Sequence, residues 1–107
     1  MAEQVVEWAP FNIREGIAEK ALVEVSARLQ RDFLARQDGF LRRELIKGAE
    51  RSYVDLIWWR SMETAEAAMA KVTESTVCRE YFSLMEPHQA EAGAGVLHFR
   101  SLQAYQA

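Results

Sequence analysis

The sequence predicts an α+β domain in which helices cover one face of an antiparallel sheet. Runs of strand-forming residues alternate with two longer segments of helical period, so that the element order is β-α-β-β-α-β. A short turn containing glycine joins the two central strands as a hairpin. The chain has 107 residues, and we expect residues 1–107 to form a single domain.

The composition excludes several classes of protein. Thirteen basic residues against sixteen acidic ones give a net charge of -3, which argues against a nucleic-acid-binding protein. No apolar run approaches the roughly 20 residues of a membrane span. One cysteine excludes an intrachain disulfide, and the first residues lack the pattern of a signal peptide. We therefore expect a cytoplasmic protein that binds neither nucleic acid nor membrane.

A strand and a helix open the chain. Residues 4–11 alternate in part and are rich in strand formers. Residues 15–36 carry an apolar stripe at helical spacing, and Gly39 follows as a residue suited to end the helix. The stripe consists of Ala18, Leu22, Val25, Leu29 and Phe33.

The hairpin and the second helical segment follow. Residues 40–47 and 51–60 are the second and third strands. Ser61 is a candidate N-cap for a helix over residues 62–72, where alanine, methionine and glutamate predominate. A second helical piece over residues 77–85 continues this segment after an interruption, with Ser75 or Thr76 as its candidate cap.

A loop and a fourth strand complete the pattern. Residues 88–95 contain two glycines and are expected to form the loop, and residues 96–104 alternate like a strand. The complete order is that of the ferredoxin-like split β-α-β fold, in which an antiparallel sheet carries its helices on one face.

Strand alternation divides the sheet into two sets of side chains. The mostly apolar set is expected under the helices, and it comprises Val6, Trp8, Leu41, Leu45, Val54, Leu56, Trp58, Leu97 and Phe99. The other set mixes large apolar groups with charges, which suggests a contact surface. We expect a symmetric homodimer through this second face. Its predicted interface residues are Phe40, Arg42, Glu44, Ile57, Trp59, His98 and Arg100.

Three phrases of the sequence resemble a known family. They are Phe11-Asn12-Ile13-Arg14-Glu15-Gly16, Gln37-Asp38-Gly39-Phe40-Leu41 and Trp59-Arg60-Ser61-Met62-Glu63-Thr64-Ala65. Together with the element order, they resemble the antibiotic biosynthesis monooxygenase-like superfamily, as do residues 81–87 and 97–99. The resemblance covers nearly the whole chain and implies a dimeric α+β barrel. It also implies one of several activities, which include oxidation of anthrone- or quinol-like aromatics by oxygen without metal or cofactor, haem degradation, and small isomerase or decarboxylase reactions.

The leading functional hypothesis is a cofactor-independent monooxygenase-like protein that holds a small planar aromatic between sheet and helices. An indole can stack on such a ligand, and the stacking candidates are Trp8, Trp58 and Trp59. Arg43 is a candidate for holding negative charge. Tyr53, Tyr81 and His98 are candidates for donating or accepting protons, with Glu7 or Asp55 as a partner of His98. Each also has a purely structural interpretation as a packing or hydrogen-bonded residue.

Two alternatives stay open, and no metal site or cofactor is expected. A non-catalytic binding or structural dimer is the first. Haem binding is the second, and the sequence departs from its pattern, because the haem-degrading branch of the superfamily uses an asparagine on strand one and a histidine on helix two. Strand one offers Trp8 or Ala9 at the first position, and helix two offers Ala68, Met69 or Ala70 at the second. His88, Cys78 and Glu91 form no recognised zinc spacing.

Overall fold

The computed structural model describes residues 3–87 and 95–107. Four strands form one antiparallel sheet in the order β2-β3-β1-β4. The strands are β1 (Val5–Asn12), β2 (Phe40–Lys47), β3 (Ser52–Trp59) and β4 (Leu97–Arg100). The helices are α1 (Glu19–Asp32), α2 (Met62–Lys71) and α3 (Thr76–Ser83), and short 3-10 turns follow α1 and α2. This is the ferredoxin-like arrangement that the sequence predicts.

The helix ends follow from local chemistry. The hydroxyl of Ser61 accepts a hydrogen bond from the backbone N–H of Thr64, and the backbone N–H of Ser61 donates to Oγ1 of Thr64. This reciprocal capping box starts α2. Ser75 caps α3 by accepting from the backbone N–H of Cys78 over 3.2 Å. α1 is shorter than predicted at its start, because Gly16 has a φ of +89° and Ala18 is extended.

Except in β2, where Arg43 and Leu45 lie on the predicted side, the two faces of the sheet are the reverse of the predicted ones. Side chains of Glu7, Asp55, Ile57 and Trp59 are buried beneath the helices, whereas Trp8 is 38% exposed on the opposite, open face. The open face of the sheet also carries Val6, Leu41, Val54, Leu56, Trp58, Leu97 and Phe99. The alternation of side chains along a strand divides them into two faces, but it does not show which face the helices cover.

Most of the predicted interface residues therefore do not lie on the open face of the sheet. Ile57 and Trp59 belong to the core, Phe40 packs against it, and His98 and Arg100 lie opposite Glu7 and Val5 on the helix-facing side. Of the predicted interface residues, Arg42 and Glu44 lie on the open face, next to Trp58 and Leu56.

A bulge in β2 explains part of this error. The pairing with β3 shifts between Phe40 and Arg42, so that Phe40 lies opposite Trp59 while Arg43 lies opposite Ile57. The extra residue brings Phe40 and Arg43 to the same face and leaves Leu41 exposed.

The helices and the sheet enclose one cluster of buried side chains. Leu22, Leu29 and Phe33 from the first helical segment and Tyr81 from α3 pack onto Phe11 of β1 and its neighbours. The predicted loop over 88–95 falls, apart from Gly95, outside the described residues, and so do His88 and Glu91. No helix in the described ranges is long and apolar enough to cross a membrane.

Candidate functional site

A cavity of about 90 Å³ lies between the sheet and the helical layer. Its wall is almost entirely apolar, with Trp59 from β3, Ala68 and Met69 from α2, and Phe82 from α3. The carboxylates of Glu7 and Asp55 and the side chain of Tyr81 also line it. The cavity occupies the place where the sequence predicts a ligand, and it brings two acids to an apolar wall.

One polar cluster beside the cavity centres on Glu7. Its Oε1 accepts a hydrogen bond from the indole Nε1 of Trp59 over 3.1 Å and lies 3.2 Å from Nε2 of His98. These contacts follow from register, because β1 lies between β3 and β4 and places His98 directly opposite Glu7. Burial raises the pKa of the Glu7 carboxyl, and the contacts with His98 and Trp59 oppose that rise.

A second polar cluster joins Arg43, Asp55 and Tyr81. Nε of Arg43 donates to Oδ1 of Asp55 over 2.8 Å, and the hydroxyl of Tyr81 donates to Oδ2 of Asp55 over 2.6 Å. The Arg43 guanidinium also donates to the hydroxyl of Tyr81 and to the backbone carbonyl of Ser26 in α1. Burial raises the pKa of Tyr81 well above its ordinary value, so this phenol stays protonated at neutral pH.

The two clusters differ in what they leave for a ligand. Both oxygens of Asp55 accept hydrogen bonds, and its charge is balanced by Arg43. The side chains of Trp59 and His98 both contact the Glu7 carboxylate at Oε1. Among the described residues, the hydrogen bonds of Asp55 engage both of its oxygens, whereas those of Glu7 engage Oε1 and not Oε2.

The predicted site residues separate into three groups. Trp59 and Tyr81 line the cavity, and His98 contacts its wall through Glu7. Trp8 and Trp58 lie on the open face of the sheet, so neither stacks on a ligand between sheet and helices.

The two other candidates have partners of their own. Within the described residues, Arg43 and Tyr53 are absent from the cavity wall. Arg43 is held by Asp55, and the hydroxyl of Tyr53 donates to Glu19 over 2.8 Å. A donor that is already paired inside the protein has less to offer a ligand.

Glu7 and Asp55 are the residues that sequence reasoning placed only as partners of His98. A signal for them exists in the sequence. Each is a charged residue inside a strand and shares strand parity with aromatic or branched side chains, such as Phe11 in β1 and Tyr53 in β3. Charges at such positions are buried only when they are paired, which the pattern alone does not reveal.

The described residues contain no group of three or more histidine, cysteine, aspartate or glutamate side chains placed to hold a metal ion. Cys78 is buried in the cavity wall, and burial raises the pKa of its thiol. A thiol of this kind is a poor nucleophile at neutral pH, since the thiolate is the reactive form.

The chain thus combines an α+β fold with a small apolar cavity between sheet and helices. The same fold occurs in solved structures that include a cofactor-independent oxygenase and provisionally assigned antibiotic biosynthesis monooxygenases, and it is the fold that the sequence resemblance implies. The sequence itself matches no family model and no curated protein.

Three solved structures illustrate this likeness of fold. SnoaB, a cofactor-independent oxygenase from Streptomyces nogalater, is 23% identical over 96% of this chain and 97% of its own, with a TM-score of 0.73. A provisionally assigned antibiotic biosynthesis monooxygenase from Bordetella bronchiseptica is 18% identical over 94% and 99%, with a TM-score of 0.67. A haem-degrading protein from Mycobacterium tuberculosis is 19% identical over 100% of both chains, with a TM-score of 0.60.

Proposed function

We propose that this chain is a cofactor-independent oxygenase that binds a small planar aromatic in the cavity between sheet and helices. The observation that carries the proposal is the apolar cavity with the indole of Trp59 and the carboxylate of Glu7 in its wall. The likeness of fold to SnoaB, a cofactor-independent oxygenase, supports the same class of reaction.

The size of the cavity favours a ligand with a single ring. A cavity of about 150 Å³ holds benzene in an engineered protein, so about 90 Å³ requires small shifts of the wall. Met69 and Phe82 are partly buried wall residues, and an unbranched methionine adapts readily to a new neighbour. A quinol-like molecule therefore fits this site better than a fused anthrone-like one.

The proposed reaction with oxygen requires the aromatic to be an anion in a cavity that excludes water. A hydroxylated aromatic reacts with oxygen far more readily after it loses its proton, because the anion is the electron-rich form. An apolar wall keeps water away, and positioned dipoles stabilise the charge that develops. The indole N–H of Trp59 is engaged by Glu7, so the role of Trp59 is to offer its ring and to hold that carboxylate in place.

A homodimer through the open sheet face is part of the proposal. Trp8, Leu41, Leu97 and Phe99 are 38–53% exposed there. Large exposed apolar patches on small domains mark contact surfaces. Arg42 lies 4.4 Å above the ring of Trp58 and donates to Glu44 over 2.7 Å, so the charges on this face already have partners when a second copy covers them. The proposal also keeps the cytoplasmic location expected from a single cysteine.

A non-catalytic ligand-binding protein is the second candidate function. The observation that favours it is the Arg43–Asp55–Tyr81 cluster, whose polar groups are already paired with one another. Haem binding is not favoured, since its ring system is much larger than the cavity. The corresponding positions of α2 hold Ala68, Met69 and Ala70.

Titration of tryptophan fluorescence with hydroquinone, followed by oxygen uptake, tests the proposal. We expect quenching in the unchanged protein, loss of that quenching in Trp59→Phe, and its retention in Trp8→Phe, whose indole lies on the open face. Binding with oxygen uptake supports the oxygenase, and binding without uptake supports the non-catalytic alternative. Equal quenching in both variants, or none in the unchanged protein, contradicts the proposed site.

A further inference from the structure

The Glu7 carboxylate links the inside of the cavity to the edge of the sheet. The side chain of Glu7 is 9% exposed and lines the cavity, while that of its partner His98 is 20% exposed on the edge strand β4. The contact between them joins Oε1 of Glu7 to Nε2 of His98 over 3.2 Å. A group inside the cavity is thus connected to solvent through one imidazole.

The carboxylate is held in a fixed orientation. Trp59 donates its Nε1–H to Oε1 from β3, while His98 meets the same oxygen from β4. Both anchors are on one oxygen, so the other oxygen, Oε2, keeps its capacity to accept. A carboxylate fixed in this way and facing an apolar cavity is suited to accept a proton from a bound hydroxyl.

We propose, on the basis of the oxygenase function above, that Glu7 is the proton acceptor for the bound aromatic and that His98 holds its carboxylate in place. The ligand O–H bond breaks, a bond forms between that proton and Oε2, and the electron pair stays on the ligand oxygen. The resulting carboxylic acid returns this proton from Oε2 to the anion that forms when the ligand reacts with oxygen, while Nε2 of His98 stays against Oε1. Glu7 is restored as a carboxylate.

The surrounding charges set the ligand class that this arrangement accepts. The titratable groups next to Glu7 are His98 on β4 and Asp55 on β3. The cavity wall also contains Cys78 and Tyr81 from α3. Arg43 of β2 balances Asp55, so the cavity has no cation free for an anionic ligand among the described residues. The site therefore selects an uncharged hydroxylated ring over a carboxylate of the same size. Burial also raises the pKa of Glu7 towards the range in which a general base is most effective.

The test uses phenol and benzoate as probes of one ring each, with hydroquinone as the oxidisable substrate. We expect the unchanged protein to bind phenol at least tenfold more tightly than benzoate, and Glu7→Gln to lose that preference. Oxygen uptake with hydroquinone should fall about 100-fold or more in Glu7→Gln, and the rise of its rate with pH should disappear. Glu24→Gln, an exposed acid on α1, is the matched control and should change neither quantity.

Two further variants separate the charge of Glu7 from the position of its carboxylate. Glu7→Asp keeps the charge and withdraws the oxygens, so it should keep the preference for phenol while it loses oxygen uptake. His98 is a positioning residue, and His98→Gln should alter the pH profile of uptake more than the affinity for phenol. Neither variant depends on Glu7→Gln being able to fold.

The outcomes distinguish this inference from the function on which it rests. Phenol binding and oxygen uptake that survive unchanged in Glu7→Gln overturn the role of Glu7 and leave the oxygenase standing. Equal affinity of the unchanged protein for phenol and benzoate also overturns it. An unchanged protein that binds neither probe overturns the proposed function and this inference together.

Discussion

Arg43 and Asp55 form an ion pair between the adjacent strands β2 and β3, with 2.8 Å between Nε and Oδ1. Their side chains are 6% and 7% exposed, so the pair is almost completely removed from water. Further hydrogen bonds from Arg43 reach the carbonyl of Ser26 in α1 and the hydroxyl of Tyr81 in α3. One guanidinium therefore ties two helices to the sheet.

Removing one partner of this pair should destabilise the fold strongly. Arg43→Met leaves the Asp55 carboxylate buried without its cation, and we expect the free energy of unfolding to fall by about 3–5 kcal/mol in urea denaturation. The double variant Arg43→Met with Asp55→Asn should recover part of this loss. Arg60→Met breaks the exposed contact with Asp38 and serves as the control, with a much smaller loss expected. Equal losses in Arg43→Met and the control would contradict the role of the buried pair.

The turn before β2 leaves no room for a side chain. Gly39 has a φ of +81°, and a Cβ there would lie 2.3 Å from Oγ1 of Thr64, which takes part in the capping box of α2. Gly39→Ala should cost about 1–2 kcal/mol for the backbone conformation and about 1–3 kcal/mol for the overlap. Gly16→Ala is the matched control, since its φ is +89° and nothing lies within 4 Å. The two variants should differ by the overlap alone, and equal stability by urea denaturation would contradict this.

The stability of Glu7→Gln relative to the unchanged protein should depend on pH. The folded-state pKa of Glu7 is raised by burial, so the native state disfavours the ionised carboxyl and loses stability as pH rises through that pKa. Glutamine mimics the protonated form at every pH. We expect any advantage of Glu7→Gln to be largest at neutral pH and to shrink as pH falls below the ordinary range of a glutamate. Thermal melts at pH 4 and pH 7 measure this, and an advantage that grows towards pH 4 would exclude it.

Charge placed on the open sheet face should prevent the proposed dimer. Trp8→Glu and Phe99→Glu put carboxylates into the patch that a second copy would cover, and analytical ultracentrifugation should then detect monomer. Val23→Glu changes an equally exposed apolar residue on α1, 53% exposed, and should leave the dimer intact. A Trp8→Glu protein that sediments like the unchanged dimer would show that the copies pair elsewhere.

The order of the elements could be predicted because each has a local cause. The stripe of α1 has helical period, Ser61 caps α2, and the turn at residues 48–50 joins two strands of opposite direction. The predicted boundaries of α1 and β4 are less accurate. An extended Ala18 delays the start of the helix, and β4 ends at Arg100 although the alternation continues beyond it.

Which face of the sheet lies under the helices could not be predicted from alternation. The set with Glu7, Asp55 and His98 looks less suited to burial than the set with Leu97 and Phe99. Glu7 and Asp55 are nevertheless buried, because each finds a partner on another strand. The pairing register of the strands and the bulge in β2 determine those partners. Neither can be deduced from the residue pattern along one strand. For the same reason, the sequence alone does not place Glu7 in the wall of the cavity.

Cys78 gives the protein a natural reporter of its own motion. It is the single cysteine of the chain, it is 1% exposed, and it contributes to the cavity wall from α3. A thiol reagent reaches such a group only when α3 lifts from the sheet, so the labelling rate measures how often that local opening occurs. A molecule that fills the cavity holds the wall closed and protects the thiol. Occupancy of the site can thus be followed as a rate of chemical modification, without a chromophore on the ligand and without any turnover.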